Sequence, residues 1–147
     1  MRLIRNCLDM PPVWLAAFVV ATWLLPRFGL PGSLALPGWG LIGLGILLKA
    51  WAFVEFQRLR TSIIPRRDPS AILTSGPYRF SRNPIYLADA VVLAGAALVM
   101  QSLIGRVLVP VFAALIQARF IKGEEARLSA AFPDEAARFF ARTRRWL

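Results

Sequence analysis

The sequence predicts an all-α integral membrane protein of about four transmembrane helices, with a cytoplasmic loop and a C-terminal amphipathic helix. Three observations predict it. Hydrophobic residues make up 57% of the 147-residue chain, too many for a soluble domain of this size. They gather in four runs, approximately 12–25, 39–56, 84–100 and 103–121. The last three have the length, about 17–25 residues, that crosses a bilayer. The net charge of +10 lies between the runs rather than inside them. The length suits a single domain, 1–147.

The first run, 12–25, is short and bounded by prolines. A secretory signal is the rival reading, but Asp9, Pro11 and Pro12 interrupt the flank and no small-residue cleavage site follows. Pro26, Gly29, Pro31, Gly32, Pro37 and Gly38 mark an external loop. Gly40, Gly43 and Gly45 open the second run as a small-residue face on which another helix can pack. Between 57 and 83 the chain leaves the membrane, because Pro65, Asp68-Pro69 and Gly76-Pro77 break any long helix. Asn83-Pro84 then starts the third run: asparagine caps the first turn, and proline suits the first helical position, where its missing donor has no partner to lose. After Ile121 the fourth helix is expected to continue through Glu124, Glu125 and Leu128 until Phe132-Pro133-Asp134 breaks it. Asp134 or a neighbour caps a last helix carrying Ala137, Arg138, Phe139 and Phe140. With Arg144, Arg145 and Trp146, that helix suits a membrane interface.

The charges set the orientation. Arg58, Arg60, Arg66, Arg67, Arg79 and Arg82 fall between the second and third runs, and Lys122, Arg127, Arg138, Arg142, Arg144 and Arg145 follow the fourth. The first loop has only Arg27, and the turn at Gln101-Ser102 is almost uncharged. The positive-inside rule places both termini and the long loop in the cytoplasm. The basic surface reads as topology and contact with anionic headgroups, not as a nucleic-acid site. One cysteine, Cys7, excludes a disulfide within the chain. The absence of histidine excludes histidine metal sites, histidine bases and Ser-His-Asp triads, and no metal is expected.

Ionisable residues inside spans are costly and default to paired or functional roles. Glu55 and Arg106 lie near span ends and are expected to reach the interface; Lys49 and Asp89 can pair or meet a substrate. Arg79, Arg82 and Asn83 surround the start of the third helix, where arginines and free backbone donors make an anion site or a lipid-phosphate contact. Tyr78 and Tyr86 can stack on a flat ring or sit as interfacial tyrosines. Glu124 and Glu125 point about 100° apart on a helix, and either form a solvated end with a Glu124–Arg127 pair or meet a cationic partner. An anion site, a cation site and aromatic rings between them fit S-adenosylmethionine, and also a headgroup bearing both charges.

The residues Gly76-Pro77-Tyr78-Arg79-Phe80-Ser81-Arg82-Asn83-Pro84-Ile85-Tyr86 carry a resemblance, together with upstream Arg60-Thr61-Ser62-Ile63-Ile64-Pro65. So do Glu124-Glu125, Leu128, Phe132 and Arg145-Trp146. In order and spacing, over about the last 90 residues, they resemble the isoprenylcysteine carboxyl methyltransferase family, which includes the small phospholipid methyltransferases. The resemblance implies an integral membrane methyltransferase using S-adenosylmethionine on the cytoplasmic side, with a lipid-like acceptor entering from the bilayer. It implies a cofactor pocket of Tyr78, Arg82, Asn83, Pro84, Tyr86, Glu124 and Glu125, and catalytic roles for Arg79 and Arg82. Arg82 would hold the cofactor carboxylate, the glutamates its ammonium or ribose, and Arg79 an anionic acceptor. The chain departs from the family where Asn83 replaces a common histidine, Asp89 an apolar residue, and Phe132-Pro133 a usual Phe-Gly. The acceptor stays open among lipophilic or small carboxylate, thiol and amine compounds. A nicotinamide-dependent membrane reductase and a non-enzymatic lipid- or partner-binding module are the competing functions. Arginine far exceeds lysine, which suggests GC-rich coding and a bacterial inner membrane. The oligomeric state is not readable from the sequence.

Overall fold

A computed structural model of the chain describes residues 10–25, 34–58 and 72–147. Cys7, Asp9, the loop residues from Pro26 to Gly32, the 60–65 stretch, Arg66, Arg67 and Asp68-Pro69 lie outside the described residues. Among those described, the regular structure is helical, in the order α1 (Pro11–Leu24), α2 (Ala35–Arg58), a 3-10 turn (Gly76–Arg79), α3 (Pro84–Val99), α4 (Leu103–Ile116), a π turn (Gln117–Ile121), α5 (Lys122–Ala131) and α6 (Pro133–Arg142).

Two of the four expected spans are long and apolar enough to cross a membrane: α2, with 24 residues, and the continuous helix Leu103–Ala131, with 29. Helices α1 and α3 are apolar but shorter, at 14 and 16 residues. The outer side of α2 leaves Trp39, Leu44, Leu47, Trp51 and Phe53 exposed, a large apolar surface suited to acyl chains. One core joins α1, α3 and α4 through Leu93, Phe112, Ile116, Phe120 and Ile121, with Trp14, Leu15 and Phe18 packed on it. A second, smaller core of Ala52, Leu73 and Tyr78 ties the end of α2 to the 3-10 turn.

The α2–α3 crossing depends on glycine: of the three glycines the sequence singles out only Gly45 packs there, joined by Gly38, which was expected in the preceding loop. A Cβ on Gly38 would lie 2.9 Å from the Gly95 carbonyl oxygen, and one on Gly45 would lie 2.9 Å from that of Ala88. Gly40 and Gly43 face open space, with nothing within 4 Å of such a Cβ. The physical reason is periodicity: Gly38 and Gly45 are two turns apart on one face, as are Ala88 and Gly95, and Gly40 and Gly43 turn away from it.

Helix boundaries follow local chemistry. Proline opens α1, α3 and α6. Asn83 occupies the N-cap position of α3 as expected, but its side chain makes no cap bond and reaches the C-terminal tail instead. Likewise Phe132, not Asp134, is the N-cap of α6, and no side-chain cap forms there. The α3–α4 turn is a Schellman closure: the Gln101 amide donates to the Leu98 carbonyl at 3.1 Å and the Ser102 amide to that of Ala97 at 2.9 Å. Gln101 holds the left-handed conformation, φ 54. The buried Ser102 hydroxyl then accepts from the Gly105 amide at 2.9 Å and caps α4. The expected continuation past Ile121 and the break at Phe132-Pro133 are both present. On α6 the buried residues are Ala136 and Phe139, whereas Ala137 is exposed: three residues apart, Ala136 and Phe139 share a face that Ala137 leaves.

Candidate functional site

The sequence-predicted residues gather at one end of the bundle, where the 3-10 turn, the start of α3, the start of α5 and the C-terminal tail meet. The π turn before α5 inserts an i→i+5 bond, Lys122 amide to Gln117 carbonyl, and so sets which way the acids after it point. They diverge as adjacent helical residues must. Glu124 accepts the Tyr86 hydroxyl at 2.7 Å. Glu125 turns to the arginines, accepting two bonds from Arg145, Nε at 3.0 Å and Nη2 at 2.6 Å, and one from Arg82 Nη1 at 3.1 Å. Partial burial works against ionising Glu125, but the bonds and charges of Arg145 and Arg82 outweigh it and hold the carboxyl below its usual range.

Arg82 is a tie-bar. Its Nε donates to the Thr143 carbonyl at 2.6 Å and its Nη2 to that of Phe140 at 2.8 Å, while the guanidinium lies 4.5 Å from the Phe140 ring centre. The Arg82 amide donates to the Arg144 carbonyl at 2.9 Å, and Asn83 Nδ2 to that of Arg145 at 3.0 Å. Trp146 Nε1 closes the tail onto Gln117 at 2.9 Å. The sequence reading sets an arginine wall and an acid wall apart, with a ligand between them. In the structure Arg82 and Glu125 close directly on each other, and all three guanidinium nitrogens already donate within the chain. Pro84 is buried at the helix start and Arg79 is exposed.

Sequence reasoning named Glu55 among the costly ionisable residues of the spans but misplaced it. It was expected at the interface, yet it is 6% exposed and lies under the 3-10 turn. It accepts the Ser75 hydroxyl at 2.8 Å and an Arg58 Nη1 bond at 3.5 Å. Gly76 permits this approach: its φ of +55 favours glycine, and a Cβ there would meet Glu55 Cγ at 2.7 Å. Tyr78, 6% exposed, stands edge-on to Phe56. Burial first, then the charges of Glu124 and Glu55, push its hydroxyl above the ordinary tyrosine range, so it remains a proton donor. The tyrosine therefore feels two acids, buried Glu55 from α2 and half-buried Glu124 from α5. A charged residue closing an apolar run just before the long loop was the available signal for Glu55. The terminal Arg145-Trp146 pair was the signal for the tail. Lys49 and Asp89 do pair, at 2.6 Å, and Asp89 is only 1% exposed. Among the described residues no cluster of acids and cysteine is arranged to hold a metal ion.

Residues 34–135 match the family model described as phospholipid methyltransferase. No curated protein and no solved structure matches the chain. The matched region runs from α2 past both glutamates and ends before Arg145.

Proposed function

The chain belongs to the phospholipid methyltransferase family, and we propose that it transfers a methyl group from S-adenosylmethionine to a lipophilic or small carboxylate, thiol or amine acceptor at the membrane. Family membership carries the coarser statement, methyl transfer to a lipid-related substrate. The observation that supports the finer one is a pair of carboxylates on either side of Tyr78, Glu55 buried and Glu124 half-buried on the Tyr86 hydroxyl. That donor set suits a cationic ligand with a flat ring, and S-adenosylmethionine supplies a methyl group on a positively charged sulfur when bound.

In this reading Glu124 offers a carboxylate to the ligand's ammonium or ribose, with Tyr86 fixing its rotamer through the 2.7 Å bond. Tyr78 gives a buried ring and a hydroxyl that stays protonated. Arg82, Asn83, Pro84 and Glu125 form the wall behind the ligand; the bonds of Arg82, Asn83 and Glu125 to the tail hold the start of α3 and the start of α5 at fixed separation. Orientation of this kind is where such a site gains rate, because holding reactants in line can supply roughly 7–11 kcal/mol of a barrier. Arg79, exposed beside the site, orients an anionic acceptor. An acceptor carboxylate or thiolate needs no base; an amine would pass its proton to Glu55, Glu124 or water. The excess of basic residues in the loops at this end supports an orientation with this end and both termini in the cytoplasm, and the reading includes a bacterial inner membrane.

Labelled-methyl transfer tests the reading. Native membranes containing the full chain are incubated with methyl-labelled S-adenosylmethionine and extracted into organic solvent. The expected result is label in an acceptor that appears only with the protein present. No transfer by folded protein, together with stabilisation by NADPH and none by S-adenosylhomocysteine, would replace this reading with the reductase.

A further inference from the structure

Arg106 lies one turn into α4, just past the Ser102 cap, at the end of the bundle away from Glu124. Both residues sit on the continuous helix Leu103–Ala131. At 1.5 Å per residue they are separated by about 27 Å, close to the hydrocarbon thickness of a bilayer. The Arg106 Nε and Nη2 atoms are buried, and neither has a hydrogen-bond partner. The guanidinium borders a groove of about 270 Å³ whose other lining residues are Ala94, Leu98, Val109 and Pro110.

Two buried guanidinium nitrogens without partners on a half-buried arginine are unfavourable unless an anion joins them. The nearest buried acid by sequence on α3, Asp89, is engaged by Lys49. Water is a poor remedy, since a buried water needs two to four polar partners and the rest of this lining is apolar. The missing ligand must be anionic at the guanidinium and greasy along the groove. Arginine's planar fork matches a phosphodiester. The depth matches as well, because a residue one turn inside a span reaches the headgroup level by extending its side chain.

We propose that this groove holds one anionic phospholipid from the leaflet opposite the glutamates, with its phosphodiester on Arg106 and an acyl chain along Leu98, Ala94, Val109 and Pro110. The site is separate from the methyl-transfer reading and stands whether or not that reading holds. It gives the bundle a lipid anchor at the end that lacks the polar tail.

Native mass spectrometry of the full chain, released from detergent with added lipid, tests it. The probes are phosphatidylglycerol, phosphatidylcholine and inorganic phosphate. The wild type should retain one phosphatidylglycerol about tenfold more tightly than phosphatidylcholine, the size expected of one charge-assisted contact. Arg106→Gln should remove that preference, and Arg106→Lys should keep part of it. Leu98→Trp, which fills the groove and leaves the cation, should also abolish retention, and it decides the matter alone if Arg106→Gln fails to fold. Equal retention by wild type and Leu98→Trp overturns the proposal. So does competition by inorganic phosphate at the lipid's own concentration, or a chain dimer that Leu98→Trp dissolves in place of a lipid adduct.

Discussion

Arg82 and Arg106 are the same side chain at opposite ends of one bundle, and they have opposite surroundings. Arg82 donates to Glu125, Thr143 and Phe140 and lies over an aromatic ring. Arg106 has two buried nitrogens with no partner. The difference teaches that an arginine near a membrane span is not by itself a ligand site. Where the chain supplies acceptors, the cation is structural; where it supplies none, a ligand is left to do so.

Removing each cation in turn separates the two sites. Arg82→Met leaves Glu125 with one arginine and strips two tail carbonyls of donors. At 17% and 13% exposure this pair is mostly buried, and a loss of about 3–5 kcal/mol of unfolding free energy is expected. Arg106→Met, in detergent free of anionic lipid, should change stability by no more than about 1 kcal/mol or raise it, since it removes an unpaired charge. Equal losses at the two positions would erase the distinction. Lys49→Met tests an intermediate case: Asp89 is 1% exposed but Lys49 is 38% exposed, so the expected loss is about 2–3 kcal/mol after allowing for solvent screening. Urea titration reads all three.

Two glycines ask the same question of packing. Gly95→Val places carbon where a Cβ already lies 2.6 Å from the Gly38 carbonyl oxygen, and about 1–3 kcal/mol of destabilisation is expected. Gly43→Ala enters open space and should stabilise by about 0.5–1 kcal/mol through helix propensity. A smaller effect comes from pH. Glu125 has its folded pKa below its ordinary 4.5, so its contribution is present above that value and is lost as the pH falls through the lower folded value. Hydrogen-exchange protection at the Thr143 amide, after correction for the intrinsic pH dependence of exchange, should fall in that acidic window and stay flat between pH 6 and about 8. Arg58→Ala, removing a 3.5 Å contact from a 71% exposed arginine, should change stability by less than about 0.5 kcal/mol.

The four apolar runs, the proline-marked helix starts, the break at Phe132-Pro133 and the Lys49–Asp89 pair were legible because each rests on local pattern or on the cost of charge in a span. The divergence of Glu124 from Glu125 was legible from helix geometry alone. Three features were not. The tail's return to Arg82 and Asn83 joins residues about sixty positions apart, and nothing local encodes that closure. Gly38 and Gly45 could not be told from Gly40 and Gly43 without knowing which face of α2 meets α3. Glu55 is buried only because Gly76 bends the loop onto it, a contact between segments separated by a long connection. The resemblance pointed to residues that the structure brings to one end of the bundle, but could not say that Arg82 and Glu125 would meet each other.

In the proposed site the cofactor cradle is built on Glu124, Tyr86 and Tyr78, with Arg82 and Glu125 as its frame. Calorimetric titration of S-adenosylhomocysteine into the detergent-purified chain tests it most directly. Glu124→Gln should bind at least about tenfold more weakly than wild type, while Arg106→Met, about 27 Å away along the same helix, should bind as wild type does. Equal affinity in Glu124→Gln and wild type would remove Glu124 from the cradle.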